Sequence, residues 1–253
     1  MLPVERQQKI ADILAENGIV LVSRLAEEFG VSELTIRRDL DSMEGNRLLK
    51  RTHGGATILR NMNAEPDYLQ KAAKFAEEKR RIALKAVEFI EDNDIVMINS
   101  GTTASALIKA IMESGRVVTI ITNNVDVFDY SDQGRCQVMV TGGVFRSRSR
   151  SLVGSMATMG LEGVFANKAF IGVDGFSEEA GMTTPIFEES VVSSMMIRQT
   201  RGQVFMVAAH DKFGVISNYR IGPMESLYGI ITDKEGAEYL SADSQIGAKV
   251  IEA

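Results

Sequence analysis

Gly30-Val31-Ser32-Glu33-Leu34-Thr35-Ile36-Arg37-Arg38-Asp39-Leu40-Asp41-Ser42-Met43 decides the fold of the N-terminal part of the chain. Gly30 follows an apolar-periodic segment, where a helix stop needs a residue tolerant of positive φ. Ser32 is a good N-cap, and Glu33 puts negative charge into the first turn, which suits the helix dipole. Ile36, Leu40 and Met43 recur at i, i+4 and i+7 and make one apolar stripe. At 100° per residue Arg38 points almost opposite Ile36, with Leu34, Thr35, Asp41 and Ser42 around it and Arg37 on the flank. The outer side therefore bears hydroxyls, one apolar group and two guanidiniums. That mixture suits a major groove, where Arg bonds guanine or phosphate, Thr bonds either, and an apolar group touches a thymine methyl. Taken alone, an ordinary amphipathic surface helix would read the same way.

The flanks shift that balance. Upstream, residues 4–16 read as a helix burying Ile10, Ala11, Ile13 and Leu14, stopped at Asn17-Gly18. Ile19 to Val22 is a short β-like run, and a helix over about 23–29 carries Leu25, Ala26 and Phe29. Its start is weakly capped, because Leu21 stands where Ser or Thr is usual. Downstream, Leu48 to Ala56 reads as a two-stranded ribbon with Gly54-Gly55 at its tip. Helix, turn, helix, basic ribbon is the order of a winged helix-turn-helix over residues 1–57, with the motif itself at about 20–39. The expected DNA contacts are Ser32, Leu34, Thr35, Arg37, Arg38, Lys50, Arg51 and His53.

The whole chain, of 253 residues, has a net charge of −6, so any nucleic-acid binding must come from a local patch. Arg37, Arg38, Arg47, Lys50, Arg51 and Arg60, against Asp39, Asp41 and Glu44, supply one. The length suits one small and one medium domain, and the apolar fraction of 45% is that of a globular protein. The single cysteine, Cys136, can make no internal disulfide, which fits a reducing compartment. No apolar run approaches the roughly 18 residues that span a bilayer, and the N-terminus is too polar for a signal peptide. A cytoplasmic protein with no membrane partner is expected.

Residues 58–73 read as a linker, since Pro66 and a polar run interrupt any periodicity. Over residues 74–253 apolar runs alternate with helical patterns, which predicts an α/β domain: a mostly parallel sheet with helices on both faces. Nearly every strand ends in small or polar residues: Asn99 to Thr103, Asn123-Asn124, Gly142-Gly143, Asp174-Gly175 and Asp211-Lys212. Ligands of open α/β sheets bind outside the carboxyl ends of the strands. Ser100-Gly101-Thr102-Thr103 leads straight into a helix, so its N–H groups and hydroxyls would meet an anion at the positive end of the dipole. The same turn is also a good generic helix start. Lys212 either neutralises a phosphate or is a solvated loop lysine, and Asp174 either bonds sugar hydroxyls or forms a turn. Arg146, Arg148 and Arg150 alternate with serines; Arg148 and Arg150 read better as exposed loop than as phosphate contacts. Glu188-Glu189 enters a long helix at about 186–201, where a carboxylate often only compensates the dipole. The two histidines, His53 and His210, have no ligand-spaced neighbours, so no metal site is expected, and no Walker or dinucleotide-binding loop is present.

On these residues the chain resembles the DeoR family of bacterial transcriptional repressors. Val31-Ser32, Thr35-Ile36-Arg37-Arg38-Asp39-Leu40 and Arg51-Thr52-His53-Gly54-Gly55-Ala56 carry the likeness in the N-terminal part. Ser100 to Thr103, Thr122-Asn123-Asn124, Gly142-Gly143, Asp174-Gly175, Glu189 and Lys212-Phe213-Gly214 carry it in the rest. The resemblance implies a repressor of carbohydrate-use genes that binds double-stranded operator DNA and is released by a phosphorylated sugar or related effector. It implies a sensor domain folded like ribose-5-phosphate isomerase, in which the equivalent of Glu189 is a catalytic base. No cofactor is expected, and because one winged module offers a small interface, a homodimer or homotetramer is expected. Ser100, Gly101, Thr102, Thr103 and Lys212 would hold the phosphate; Asn123, Asn124, Gly142, Gly143, Asp174 and Glu189 would read the sugar. The chain departs from the family pattern at Asn99, Ser193 and Ala209, where Asp, Lys and Asp are common. The rival reading from another class is an aldose–ketose phosphate isomerase with an accessory helix-turn-helix. Loss of three charged groups, and the attached DNA reader, both speak against chemistry.

Overall fold

The computed structural model describes residues 1–46, 48–52, 54–58, 67–130, 135–241 and 247–253. The N-terminal module runs α1 (Pro3–Asn17), β1 (Ile19–Leu21), α2 (Val22–Phe29), α3 (Glu33–Gly45), β2 (Leu49–Arg51) and β3 (Gly55–Ile58). Gly18 ends α1 at φ 79° and Gly30 ends α2 at φ 63°, both left-handed as a C-cap requires. No side chain caps α2. Ile36, Leu40 and Met43 of α3 lie buried with Ile10, Leu14, Leu25 and Leu49 in one core. β3 is central in a three-stranded antiparallel sheet, with β1 on one side and β2 on the other. Gly55 is not at the ribbon tip but inside β3. A Cβ there would lie 1.8 Å from the Val20 carbonyl oxygen, so only glycine admits the β1 backbone.

The remaining elements are α4 (Tyr68–Ala73), α5 (Ala76–Val87), β4 (Ile95–Ile98), α6 (Thr102–Glu113), β5 (Thr119–Thr122), β6 (Gln137–Val140), β7 (Val144–Arg146), β8 (Ser151–Val153), α7 (Ser155–Met159), β9 (Ala166–Gly172), β10 (Gly175–Ser177), β11 (Gly181–Thr184), α8 (Phe187–Gln199), β12 (Thr200–Val207), β13 (Tyr219–Gly222), β14 (Gly229–Thr232), α9 (Lys234–Ser241) and β15 (Lys249–Glu252). Part of the expected linker is thus helical. α4 is capped by Asp67, whose carboxylate accepts the Leu69 N–H at 2.9 Å.

Seven strands form the main sheet in the order β15-β14-β12-β9-β4-β5-β6, and every pairing is parallel. Alternation along the strands splits its side chains between two cores. Val96 and Ile98 join Ile82 and Ala86 of α5 and Leu107 and Ile111 of α6; Met97 joins Val192 and Met196 of α8 on the other face. The sheet is therefore covered on both sides, as continuous apolar strands require. Two smaller units were not foreseen: an antiparallel sheet β10-β11-β13 and a hairpin β7-β8. Their strands are three or four residues long, too short to show a period.

The two parts touch. Arg24 of α2 donates to Glu238 of α9 at 2.6 Å and to Glu235 at 3.5 Å. Gly214, at φ 71°, lies so close to the wing that a Cβ would sit 2.7 Å from the Thr52 methyl.

Candidate functional site

On the N-terminal module one outward face gathers most of the expected contacts. Ser32 caps α3, its Oγ accepting the Thr35 N–H at 3.2 Å, and the two hydroxyls lie 2.9 Å apart. Leu34 is 56% exposed, an apolar group on the outer side of α3. Arg38 is exposed and makes no ion pair among the described residues; Arg37 pairs with Glu33 at 2.7 Å, one turn back. Lys50 is exposed on β2. Arg51 differs from expectation, because its guanidinium turns inward onto Asp41 at 3.0 Å and the Gly55 carbonyl at 3.0 Å. It braces the wing against α3. Asp39 leaves the patch altogether, since it is buried against Arg6. His53, Arg47 and Arg60 lie outside the described residues.

The second site is a cleft at the carboxyl ends of the main sheet. Strand order reverses between β4 and β9, so the cleft lies at the topological switch point, where the backbones leaving the two strands diverge. Asn99, the residue after β4, clamps this point. Its Nδ2 donates to the Gly172 carbonyl at 2.9 Å and to Ser193 Oγ at 3.0 Å, and its Oδ1 accepts the Gly172 N–H at 2.8 Å. An aspartate could not donate to that carbonyl, so the amide at this position fits the neutral Ser193 opposite it.

Ser100, Gly101, Thr102 and Thr103 line the cleft at the N-terminus of α6, with Gly101 at φ 122° as its cap residue. Lys212 enters from the loop after β12, where its Nζ lies 3.1 Å from Asp211 Oδ2. Asp174 enters from the end of β9, receiving Lys71 Nζ at 2.6 Å and the Thr184 hydroxyl at 3.1 Å. Burial pushes the Asp174 carboxyl up, but the charges of Lys71 and Lys212 outweigh it and hold the group below its usual range. Glu189 of α8 faces the same space, accepting from the Ser151 hydroxyl at 3.0 Å with Arg146 at 3.6 Å.

Four expected sugar readers are not brought to the cleft. Asn124 is fully buried; its Oδ1 accepts the Asp126 N–H at 3.0 Å and its Nδ2 donates to Ser105 at 2.9 Å. Asn123 donates to the Leu152 carbonyl at 3.0 Å. Gly142 takes φ 76°, and a Cβ on Gly143 would come within 2.5 Å of the Val153 carbonyl oxygen. These residues shape the strand ends and seat the β7-β8 hairpin. Conversely, Tyr68, Lys71 and Thr184 line the cleft although nothing in the sequence points to them, and Arg148, which reads better as exposed loop, lines it too. Arg150 is a brace, paired with Asp126 and with Asp129 at 3.1 Å.

His210, Asp233 and Glu235 could offer ligand atoms to a metal ion. Asp233 is already committed: it accepts His210 Nδ1 at 2.7 Å and the His210 N–H at 3.1 Å, and its other oxygen accepts the Gly236 N–H at 2.9 Å at the start of α9. Glu235 engages Arg24. The cluster anchors α9. Among the described residues no helix is long and apolar enough to cross a membrane.

Comparison with known proteins bears on both sites. The DeoR-like helix-turn-helix domain matches residues 6–61, and the DeoR C terminal sensor domain matches residues 74–234. The HTH-type transcriptional regulator FruR of Bacillus subtilis is 31% identical over 99% of this chain and 99% of its own length. The lactose phosphotransferase system repressor of Lactococcus lactis is 30% identical over 91% of each chain. Among solved structures, ribose 5 phosphate isomerase A from Neisseria gonorrhoeae aligns with 18% identity and a TM-score of 0.40, over 56% of this chain and 54% of that one. A Pyrococcus horikoshii translation initiation factor eIF-2B aligns with 17% identity and a TM-score of 0.43, over 64% and 65%. This chain spans less than two thirds of either solved structure. With both family domains present in order, and relatives matched end to end, the chain belongs to the DeoR family of helix-turn-helix transcriptional regulators.

Proposed function

We propose that this regulator represses carbohydrate-use genes and is released from double-stranded operator DNA by a phosphorylated sugar or a related anionic metabolite. The module over residues 1–57 reads DNA, residues 58–73 connect it, and residues 74–253 sense the ligand and assemble the chain into a homodimer or homotetramer. Ser32, Leu34, Thr35, Arg37 and Arg38 meet the groove, with Lys50 on the flanking phosphates. The phosphate is held by the α6 N-terminus, through Ser100 to Thr103, and by Lys212. Asp174 and Glu189 accept the sugar hydroxyls. The protein works in the cytoplasm, without cofactor or metal.

One observation carries this reading: a helix N-terminus and Lys212 converge on one cleft at the switch point of the sheet. Backbone N–H groups, a dipole and an ammonium at one place recognise an oxyanion. Catalysis is disfavoured at the same spot. Beside Glu189, positions 99 and 193 carry the neutral Asn99 and Ser193, bonded to each other, in place of the charged groups expected there, which leaves fewer groups to move protons between substrate oxygens. The test is fluorescence anisotropy of labelled DNA from the chain's own upstream region, with a panel of sugar phosphates and their free sugars. Release by a phosphate ester and not by its free sugar is expected. Turnover of any pentose or hexose phosphate in a coupled assay would instead favour an isomerase.

A further inference from the structure

α4 lines the cleft through Tyr68 and Lys71, and it is the first helix after the DNA-reading module in the described chain. Only residues 59–66 separate its cap, Asp67, from the end of wing strand β3. Six residues are far too few for a helix to persist by itself, and none of these six is buried. Polar ties to the sensor domain hold it instead. Tyr68 Oη lies 2.9 Å from Ser105 Oγ and donates to Asp126. Buried Lys79 of α5 donates to the Lys71 carbonyl and, at 2.6 Å, to the Lys74 carbonyl at the C-terminal end of α4. The third tie, Lys71 to Asp174, lies inside the cleft itself.

Asp174 thus sits between two lysines that face the space where an anion would be drawn. A phosphoryl group carries about −1.5 to −2 charge near neutral pH, more than one carboxylate, and has three acceptor oxygens. It would compete with Asp174 for Lys71 and with Asp211 for Lys212. We propose that Lys71 is a ligand-binding residue and that its pair with Asp174 is a latch: an oxyanion at the α6 N-terminus takes Lys71 from Asp174, and α4 shifts with it. The ligand then acts on the segment joined directly to the wing. This inference rests on the reading of the cleft as a phosphate site.

The chain contains no tryptophan, so Leu69→Trp on the exposed side of α4 gives a single reporter. The full-length variant is titrated with inorganic phosphate while emission and melting temperature are followed. Phosphate should raise the melting temperature and shift the emission with one midpoint. Adding Lys71→Gln should weaken that midpoint about tenfold, the loss of one charge-assisted hydrogen bond, and abolish the emission shift. Lys71→Arg should keep both responses. Asp174→Asn should tighten the midpoint several-fold, because the latch is already open. If the melting temperature responds with an unchanged midpoint in Lys71→Gln, the cleft takes phosphate without Lys71; the inference fails and the phosphate reading stands. Emission that stays fixed at saturating phosphate also overturns the latch. If phosphate raises the melting temperature of none of these proteins, the reading of the cleft falls together with the inference.

Discussion

The Arg6 guanidinium and the Asp39 carboxylate lie together inside the N-terminal module, Arg6 Nη2 donating to Asp39 Oδ1 at 3.1 Å, with both side chains more than nine-tenths buried. The pair ties α1 to a buried flank of α3, about 100° round the helix from Arg38, and so fixes the tilt of the helix that offers Arg37 and Arg38 outward. Removing one partner leaves a buried charge unpaired, which costs about 3–5 kcal/mol, whereas replacing both by apolar groups is often neutral. Asp39→Leu should therefore unfold the module at much lower urea, and Arg6→Met with Asp39→Leu should recover most of the loss. Far-UV circular dichroism against urea checks this. A surface aspartate would change the stability by less than about 0.5 kcal/mol.

Arg38 points away from the Ile36, Leu40 and Met43 stripe and is exposed. Arg38→Ala should leave the melting temperature unchanged and cost about 1–3 kcal/mol of operator affinity per half-site. Lys50→Ala should weaken binding to all sequences alike and flatten the salt dependence, as loss of a phosphate contact does. An unaltered footprint with Arg38→Ala would show that α3 does not enter the groove.

Lys79 supplies a pH signature. Burial, reinforced by the charge of Lys212 and partly opposed by Asp211, lowers its ammonium from the usual 10.5 to about 8. Below about pH 8 the folded and unfolded chains both carry the proton, and the cost of burying it is full. Between about 8 and 10.5 the unfolded chain holds more proton than the folded one, so stability from this group rises with pH. Relative to Lys79→Met, the natural chain should gain stability across that window, by at most about 1.4 kcal/mol per pH unit. Melting temperatures of both proteins between pH 7.5 and 10 test it, and a flat difference would mean that the amine is solvated.

The parts of the fold that the sequence discloses are those set by local pattern. The α3 stripe and the unbroken apolar runs of β4 and β5 each carry their period within a few residues. Asp39 is hidden because its partner is 33 residues away, so beside Arg37 and Arg38 it reads as one more surface charge. Asn123 and Asn124 sit at a strand end, where a buried cap and a ligand contact look alike; only the position of Asp126 and Leu152 decides between them. α4 shows no stripe because tertiary bonds from Lys79 and Ser105, not its own apolar face, keep it helical. That is why Lys71 reads as linker in the sequence although it borders the cleft. Lys212 and the Ser100 to Thr103 turn are legible for the opposite reason: both follow directly from where a parallel strand must end.

Thr102 and Lys212 come from two strand ends and face one cleft. A ligand bridging them can lower DNA affinity only by the difference in its affinity for the two states of the protein, typically 1–3 kcal/mol of coupling. Thr102→Val removes a hydroxyl without changing shape. Lys212→Gln removes the charge and keeps a donor beside buried Asp211. Both variants should bind operator as the natural chain does, since neither residue lies on the α3 face. Both should fail to release it at a sugar phosphate concentration that frees the natural chain. The dephosphorylated sugar should be inactive on all three, because the anion supplies the difference in binding between states. Anisotropy of labelled operator under ligand titration reads each of these outcomes. Normal release by both variants, or release by the free sugar, would move the anion site away from the N-terminus of α6.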